Sequence, residues 1–288
     1  MKILRDLLRL GSLLLLLLII TPALTAQSDQ PTKPAKSLSA DKLRVLFIGN
    51  SYIYFNNLPQ MLAELSKSAR QSKLIEPEMF TVGGATLKSL WENGKALETL
   101  KSGKWDYVVL QEQSTLGLAP MVDGVAQISD PKTFHEYARR FNTEIKKAGA
   151  KTVFYLTWAK QNAPQTQAAL TNAYLSIAKE LKAIVAPAGI AWENALKSDP
   201  QLALHVADKS HPTPMGSYLA ACVLYATIYG KSPEGLPGQL TGIQIDHTGR
   251  ILTAQDENKG QGELINLTLE QAAMLQKIAW QTVRQLKK

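Results

Sequence analysis

Short apolar runs alternate with longer stretches of helical apolar periodicity along most of the chain. Runs such as Val45–Ile48 and Val153–Leu156 are apolar at every position, which is typical of strands buried on both faces of a sheet. Strands that alternate with helices form βαβ units, which build a mainly parallel sheet between helices. The strand and helix pairs are Leu43–Ile48 with Leu58–Gln71, Leu74–Val82 with Leu87–Lys101, Tyr107–Leu110 with Phe134–Lys147, and Thr152–Leu156 with Ala168–Ile184. The sequence therefore predicts an α/β fold.

The pattern is less regular after residue 200. Leu202–Val206 predicts a weak fifth strand, so a sheet of about five strands is expected. Met215–Tyr229 is apolar on most sides, which favours a buried helix. The turn residues Asp246–Gly249 lie between two short apolar stretches and predict a hairpin. Leu267–Leu286 predicts a final amphipathic helix.

The first 26 residues have the pattern of a secretory signal. Lys2, Arg5 and Arg9 precede the apolar run Leu13–Ile20, and a small-residue end follows at Ala26. This run is shorter than the roughly 20 apolar residues that span a bilayer. We expect residues 1–26 to be cleaved, and an uncleaved membrane anchor is the alternative.

Residues 27–40 are rich in Pro, Lys, Ser and Thr and lack apolar periodicity, which predicts a flexible tether. Residues 41–288 then form a single domain, because a chain that is 45% apolar at this length can fill one large core. With the signal removed, the protein is expected to be secreted or periplasmic.

Charge and cysteine content exclude several classes of function. The net charge is +8, falling to +6 without residues 1–26, and no basic run or basic stretch interleaved with aromatic residues is present, so nucleic acid is not an expected partner. The single Cys222 excludes a disulfide framework and a cysteine-rich metal site. No His, Asp or Glu cluster has metal-ligand spacing, so no metal is expected. The sequence does not indicate an oligomeric state.

Polar residues follow each predicted strand, at the edge of a parallel sheet where ligands bind. They are Gly49-Asn50-Ser51, Gly83-Gly84, Gln111-Glu112-Gln113-Ser114, Thr157-Trp158-Ala159-Lys160 and Asp208-Lys209-Ser210-His211-Pro212. Acyl transfer requires this set of groups: a hydroxyl nucleophile, backbone and carboxamide donors, a base and a carboxylate that orients the base.

Two Asp and His pairs are candidates for the base. Asp208 and His211 are three residues apart on a predicted turn, so the carboxylate can hold the imidazole with its free nitrogen toward a serine. Pro212 disfavours helix at His211 and keeps the histidine on a loop. The rival pair, Asp246 and His247, lies in a predicted hairpin turn, where a solvated surface role is expected.

In their order and placement these motifs resemble the SGNH/GDSL hydrolases, which are serine esterases with a flavodoxin-like, three-layer α/β/α fold. The resemblance runs from about residue 43 to residue 229 and rests on Gly49-Asn50-Ser51, Gly83-Gly84 and Asp208–Pro212. The third motif departs from the family pattern, Gly-x-Asn-Asp, because this chain has Gln111–Ser114 there. Glutamine in that region, and the stretch Gly216–Ala221, are similar to the branch of carbohydrate acetylesterases.

The resemblance implies that Ser51 is the nucleophile, His211 the base and Asp208 its partner. It also implies an oxyanion hole formed by the N–H groups of Ser51 and Gly84 with a side-chain donor, and it implies no cofactor.

Two glutamines, Gln111 and Gln113, are candidates for that side-chain donor. We favour Gln111, because the apolar strand ends at Leu110 and Gln111 is the first residue to leave the sheet.

The implied substrate is an acetyl or other short acyl ester of a carbohydrate, with a lipid or aryl ester as the next possibility. Trp158, Lys160 and Gln161 follow the fourth strand and are weaker candidates for substrate contacts. Two alternatives remain open: a non-catalytic envelope protein that binds glycans with Trp158 as a sugar platform, and an acyltransferase that uses the same residues.

Overall fold

A five-stranded parallel sheet forms the centre of the computed structural model, which describes residues 41–117, 119–253 and 260–287. The predicted signal and tether lie outside these residues. In chain order the strands are β1 Asp41–Gly49, β2 Lys73–Thr81, β3 Tyr107–Leu110, β4 Met121–Val122, β5 Val125–Ala126, β6 Lys151–Tyr155, β7 Ile184–Ala186, β8 Gln239–Ile243 and β9 Gln261–Asn266. The main sheet has the order β2-β1-β3-β6-β7 with every neighbouring pair parallel, which is the flavodoxin-like order. The predicted α/β fold is confirmed.

Helices cover both faces of this sheet. They are α1 Ser51–Tyr54, α2 Leu58–Ser68, α3 Leu87–Asn93, α4 Lys95–Ser102, α5 Lys132–Lys147, α6 Gln167–Leu181, α7 Ala188–Ser198, α8 Pro214–Tyr229 and α9 Leu269–Leu286. Alternate residues of one strand serve opposite layers, as the pleat requires. Val45 and Phe47 pack into the core of α2, α7, α8 and α9, while Leu46 and Ile48 pack into the core of α3, α4, α5 and α6.

The fifth strand of the sheet is not where the sequence pattern predicted it. The helix predicted to reach Ile184 ends at Leu181, because Lys182 adopts the left-handed conformation (φ 52°), and β7 begins two residues later. The segment Leu202–Val206 makes only an isolated bridge, between His205 and Pro212. That bridge places it beside the loop that holds His211.

Two predicted elements are refined by the structure. Gly94, with φ 80°, divides the helix predicted over residues 87–101 into α3 and α4. The predicted hairpin exists around Asp246–Gly249, where Ile245 pairs with Ile251, and the longer arms of this hairpin are β8 and β9. No helix of the described residues combines the length and apolarity needed to cross a membrane.

Candidate active site

The turn after β1 presents Ser51 at the carboxyl edge of the sheet. Asn50 caps α1, since its Oδ1 accepts the N–H of Tyr52 at 3.1 Å. The Asn50 side chain donates to the carbonyl of Ala85 at 2.9 Å, and its backbone N–H donates to Gln111 Oε1 at 2.8 Å. Asn50 therefore ties the turn that carries Ser51 to the loops after β2 and β3.

Ser51, His211 and Asp208 form one hydrogen-bonded series. Ser51 Oγ lies 2.8 Å from His211 Nε2, and His211 Nδ1 lies 2.5 Å from Asp208 Oδ2. With the proton on Nδ1 facing the carboxylate, Nε2 is free to accept the serine proton. The other oxygen of Asp208 accepts the N–H groups of Ser210 and His211 at 2.8 and 2.9 Å. Ser51 comes from one predicted motif and His211 and Asp208 from another, and the structure brings the three residues into contact.

Hydrogen bonds from two neighbouring loops hold the His211 loop in place. Trp158 Nε1 donates to the carbonyl of Ser210 at 3.0 Å, and the N–H of Gln161 donates to the carbonyl of Lys209 at 2.8 Å. From the nucleophile side, Asn56 donates to the carbonyl of Pro212 at 3.0 Å. The His211 loop is therefore fixed relative to both the loop after β6 and the turn that carries Ser51.

Aromatic rings also position the imidazole. Phe55 stacks on His211 with ring centroids 4.2 Å apart and an interplanar angle of 14°. Tyr52 presents an edge to the same ring at 5.6 Å, and its hydroxyl lies 2.7 Å from Ser210 Oγ. Burial raises the pKa of Tyr52, more than its hydrogen bonds with Ser210 and Ser114 lower it, so it stays neutral beside the histidine.

The carboxylate of Asp208 is suited to stay ionised beside His211. Partial burial alone would raise its pKa, but the hydrogen bonds from the His211 side chain and from the N–H groups of His211 and Ser210 together lower it below the usual value. An ionised Asp208 can stabilise the imidazolium that forms when His211 takes a proton.

A cavity of about 420 Å³ opens at Ser51 and His211. This volume is within the range of small-molecule sites. Gly83, Gly84 and Gln113 also line it, as do Lys160 and His247. Gly84 has φ 69°, a conformation that glycine adopts at no steric cost. The predicted backbone donors and the nucleophile therefore share one cavity.

The two candidate glutamines have different surroundings, and those of Gln111 do not favour its predicted role as the side-chain donor. Gln111 is fully buried (0% exposed), and both ends of its carboxamide are engaged, by the N–H of Asn50 and by the carbonyl of Glu112. It packs against Gly49, where a Cβ atom would lie 2.5 Å from its Oε1. Gln113 lines the cavity instead. The first two residues beyond β3, Gln111 and Glu112, are both buried, so the end of the strand does not mark the point where the chain reaches the surface.

Gln113 has its carboxamide oriented by the turn that follows it. Its Oε1 accepts the N–H and the hydroxyl of Thr115 at 2.6 and 2.7 Å and the N–H of Gly117 at 3.3 Å. Because these donors converge on the oxygen, the NH₂ group is the free end, and its contact with Ser114 Oγ is long, at 3.5 Å. Gln113 can therefore offer a hydrogen bond to a bound ligand.

The three predicted substrate contacts also differ in whether they line a cavity. Trp158 is only 1% exposed and stacks between Tyr52, at 4.8 Å, and Trp192, at 3.8 Å. It does not line the Ser51 cavity, and its burial does not favour the predicted role as a sugar platform. Lys160 lines both this cavity and a neighbouring one of about 230 Å³, and Gln161 lines the neighbouring one alone.

His247 lies at the rim of the Ser51 cavity, although its sequence context predicted an ordinary surface turn. Its neighbour Asp246 does not orient it. The Asp246 carboxylate accepts hydrogen bonds from Thr248 and Arg250, which together lower its pKa. His247 is therefore a residue of the cavity wall with no carboxylate partner on its own turn.

Comparisons with solved structures place this arrangement on a known fold. A protein from Slackia heliotrinireducens, described as an SGNH hydrolase, is 28% identical, with a TM-score of 0.53 over 65% of this chain and 100% of that chain. An acetyl xylan esterase, AlAXEase, is 16% identical, with a TM-score of 0.52 over 65% and 100%. A DUF4886 family protein from Bacteroides uniformis is 17% identical, with a TM-score of 0.60 over 86% and 97%. The chain has the SGNH hydrolase fold.

The resemblance predicted from the motifs is thus confirmed, and the flavodoxin-like sheet is its structural basis. Scans of family models and of curated proteins find no match. The SGNH fold explains why motifs from separate strands meet at one edge, since all five strands run in parallel and end on the same side.

Sequence reasoning missed three residues that hold this site together. They are Asn50, Phe55 and Glu112. The sequence analysis included Asn50 in the serine motif and Glu112 in the third motif but gave neither a role of its own, and it did not consider Phe55. A signal was available for Phe55, because it lies one helical turn after Ser51. The contacts of Asn50 and Glu112 join loops that are far apart in the sequence, so no local pattern reveals them.

Among the described residues, no group of three or more His, Cys, Asp or Glu side chains could hold a metal ion.

Proposed function

We propose that this protein is a secreted serine ester hydrolase that removes short acyl groups, acetyl above all, from a carbohydrate or another small ester. The observation that carries the proposal is the hydrogen-bonded series of Ser51, His211 and Asp208 at the cavity that Gly84 and Gln113 also line. Secretion rests on the sequence pattern of residues 1–26.

In the first half of the reaction, His211 Nε2 takes the proton of Ser51 Oγ as this oxygen attacks the acyl carbon. The carbonyl oxygen becomes an oxyanion, which the N–H groups of Ser51 and Gly84 and the NH₂ of Gln113 are proposed to stabilise. Asp208 stabilises the imidazolium. When the tetrahedral intermediate collapses, His211 returns its proton to the leaving alkoxide, and the alcohol departs from an acyl-serine.

In the second half, water takes the place of the alcohol. His211 removes a proton from the water as it attacks the acyl-serine, the oxyanion forms again at the same donors, and the bond to Ser51 Oγ breaks as His211 reprotonates it. The products are a carboxylic acid and the free enzyme. If a second sugar hydroxyl entered instead of water, the same residues would transfer the acyl group.

Acetylated carbohydrate is the substrate class that the sequence motifs favour, and one structural neighbour is named as an acetyl xylan esterase. The cavity is wide enough for an acyl group and one sugar ring at the scale of small-molecule sites. Lys160 connects it to the neighbouring cavity, which offers room for further units of a chain.

The test is the Ser51→Ala variant with a fluorophosphonate probe, 4-nitrophenyl acetate and acetylated xylan as substrates. The variant should lose labelling and at least about 10⁴-fold in turnover, while Ser68→Ala, at an exposed position of α2, should behave as wild type. Release of free acetate measures hydrolysis, and acylated product with an added sugar measures transfer. Turnover that survives Ser51→Ala would eliminate the serine mechanism.

A further inference from the structure

A buried carboxylate contacts the two loops that supply Gly84 and Gln113 to the cavity wall. Glu112 is only 2% exposed. Its Oε1 accepts the N–H of Gln113 at 2.7 Å, and its Oε2 accepts the N–H of Leu87, the first residue of α3, at 3.1 Å. The carboxylate therefore connects the loop after β3 with the loop after β2 in one side chain.

The connection reaches both proposed oxyanion donors. Leu87 is three residues beyond Gly84, and Gln113 is itself a cavity residue. The backbone N–H of Glu112 is also fixed, since it donates to the Tyr174 hydroxyl at 3.0 Å, and its carbonyl accepts from the Gln111 side chain. Glu112 is thus anchored at its backbone and holds the two loops at its carboxylate.

This carboxylate has no cationic partner to offset its burial. No Lys, Arg or His of the described residues makes an ion pair with it, and Tyr174 of α6 is the titratable group that contacts the residue. Tyr174 stays neutral, because its own burial raises its pKa. A buried charge held only by two backbone N–H groups is costly. Desolvation accordingly raises the pKa of Glu112 to about 7, against the lowering effect of the two N–H groups.

We propose that Glu112 is a positioning residue that, in its ionised form, sets the distance between Gly84 and Gln113 in the oxyanion hole. This proposal rests on the proposed esterase function. Both carboxylate oxygens must accept a hydrogen bond for the connection to be complete. When the carboxyl is protonated, the oxygen that carries the proton becomes a weaker acceptor, so one of the two hydrogen bonds weakens and one loop is held less firmly.

Through Glu112, the oxyanion hole itself becomes sensitive to pH. This sensitivity adds to the need for a neutral histidine base. A histidine base accepts the serine proton only while it is neutral, and Glu112 holds both loops firmly only while it is ionised. Two protonations then suppress the same reaction. Activity on the acid side should therefore fall more steeply with pH than one proton allows, with a slope above 1 in log(kcat/KM).

The test compares Glu112→Gln with wild type, using 4-nitrophenyl acetate between pH 5 and 9. The variant keeps the shape but turns an NH₂ group toward one of the two N–H donors. We expect kcat to fall about 10- to 100-fold with KM changed less than about 3-fold, as for a weakened oxyanion donor. The acid limb should then have a slope of 1, because the protonation of Glu112 no longer contributes.

The matched control is Glu98→Gln, which removes the same charge from an exposed position on α4 and should change neither kcat nor the slope. The wild-type profile is a second test that needs no variant, and an acid limb of slope 1 would overturn the proposal. Equal kcat in Glu112→Gln and wild type would also overturn it. Inactive Ser51→Ala combined with normal Glu112→Gln rejects this inference and keeps the esterase, whereas active Ser51→Ala rejects the esterase itself.

Discussion

Asp208 and Asp246 begin two similar turns, and each is followed by a histidine. Both carboxylates use Oδ1 to accept the N–H groups of their own turn, which for Asp208 are those of Ser210 and His211. The Oδ2 atoms differ. Asp208 Oδ2 accepts from the His211 ring at 2.5 Å, whereas Asp246 Oδ2 accepts from Arg250 Nε at 3.0 Å.

The difference shows that the neighbour of the second oxygen decides whether an aspartate can orient a histidine. His211, at three residues from Asp208, brings Nδ1 to that oxygen, while His247 follows Asp246 directly and Arg250 occupies the place. The same distinction separates Gln111 from Gln113. Their residue type is identical, but buried backbone groups engage both ends of the first carboxamide and only the oxygen of the second.

The largest expected effect comes from exchanging the two histidines for alanine. His211→Ala removes the proposed base and should lower kcat by about 10⁴-fold or more. His247→Ala changes only the cavity wall and should lower kcat/KM by less than about 10-fold. Steady-state kinetics on 4-nitrophenyl acetate measure both variants. If His247→Ala were the inactive one, the base would lie on the hairpin.

The next largest effect on kcat is expected from replacing one of the two aspartates by asparagine. Asp208→Asn keeps the shape of the turn but presents an amide to Nδ1, which favours the wrong tautomer of His211, so kcat should fall about 10³- to 10⁴-fold. Asp246→Asn should leave kcat within about 3-fold of wild type and lower Tm, since the turn loses its acceptor for Arg250. Equal losses of kcat in the two variants would remove the distinction between the turns.

The glutamines give a smaller effect of the same kind. Gln113→Ala removes the free NH₂ group and should lower kcat about 10²-fold with little change in KM or Tm. Gln111→Ala leaves the N–H of Asn50 without its acceptor in a buried place, which costs about 1–3 kcal/mol of stability. Kinetics and urea unfolding measure both changes. Normal kcat in Gln113→Ala would leave the backbone N–H groups as the only oxyanion donors.

Much of the fold could be predicted because its signals are local. The strands β1, β3 and β6 contain apolar runs between turns, and the sequence indicates the bounds of these strands and of β2 to within about two residues. The strand β7 could not be found in the same way. It has three residues and follows α6 after Lys182, which adopts the left-handed conformation. A lysine gives no sequence signal for that conformation, so the end of the helix could not be predicted there.

The site could be predicted only where order along the chain implies position. Two of the motifs follow strands that end at the same edge of the sheet, Ser51 after β1 and Gly84 after β2. The Asp208–Pro212 loop follows the segment whose His205 pairs with Pro212. The choice between Gln111 and Gln113 required knowledge of which donors and acceptors surround each carboxamide. Burial of Trp158 likewise depends on Trp192, 34 positions later in the chain, which stacks on it at 3.8 Å.

The smallest expected effect is on the folding stability in acid that the carboxylates of Asp208 and Asp246 contribute. Hydrogen bonds lower the pKa of Asp208, against the effect of its partial burial, and a hydrogen bond from the Thr248 hydroxyl is the largest cause that lowers the pKa of Asp246. A carboxylate whose pKa is lower in the folded state stabilises that state above its unfolded pKa, about 3.9, and this contribution disappears as pH falls through the folded pKa. Both side chains are partly open to solvent, which limits each contribution.

We therefore expect the Tm of wild type to fall between about pH 5 and pH 2, and the Tm of each Asp→Asn variant to fall slightly less over the same range. The Asp246→Asn variant should show the larger difference, because the Asp246 carboxylate accepts from the side chains of Thr248 and Arg250 as well as from backbone N–H groups, whereas Asp208 has one side-chain donor. Scanning calorimetry at several pH values measures this difference. A Tm profile of Asp246→Asn that is parallel to wild type would mean that the carboxylate of the hairpin turn is as weakly held in the folded protein as in the unfolded chain.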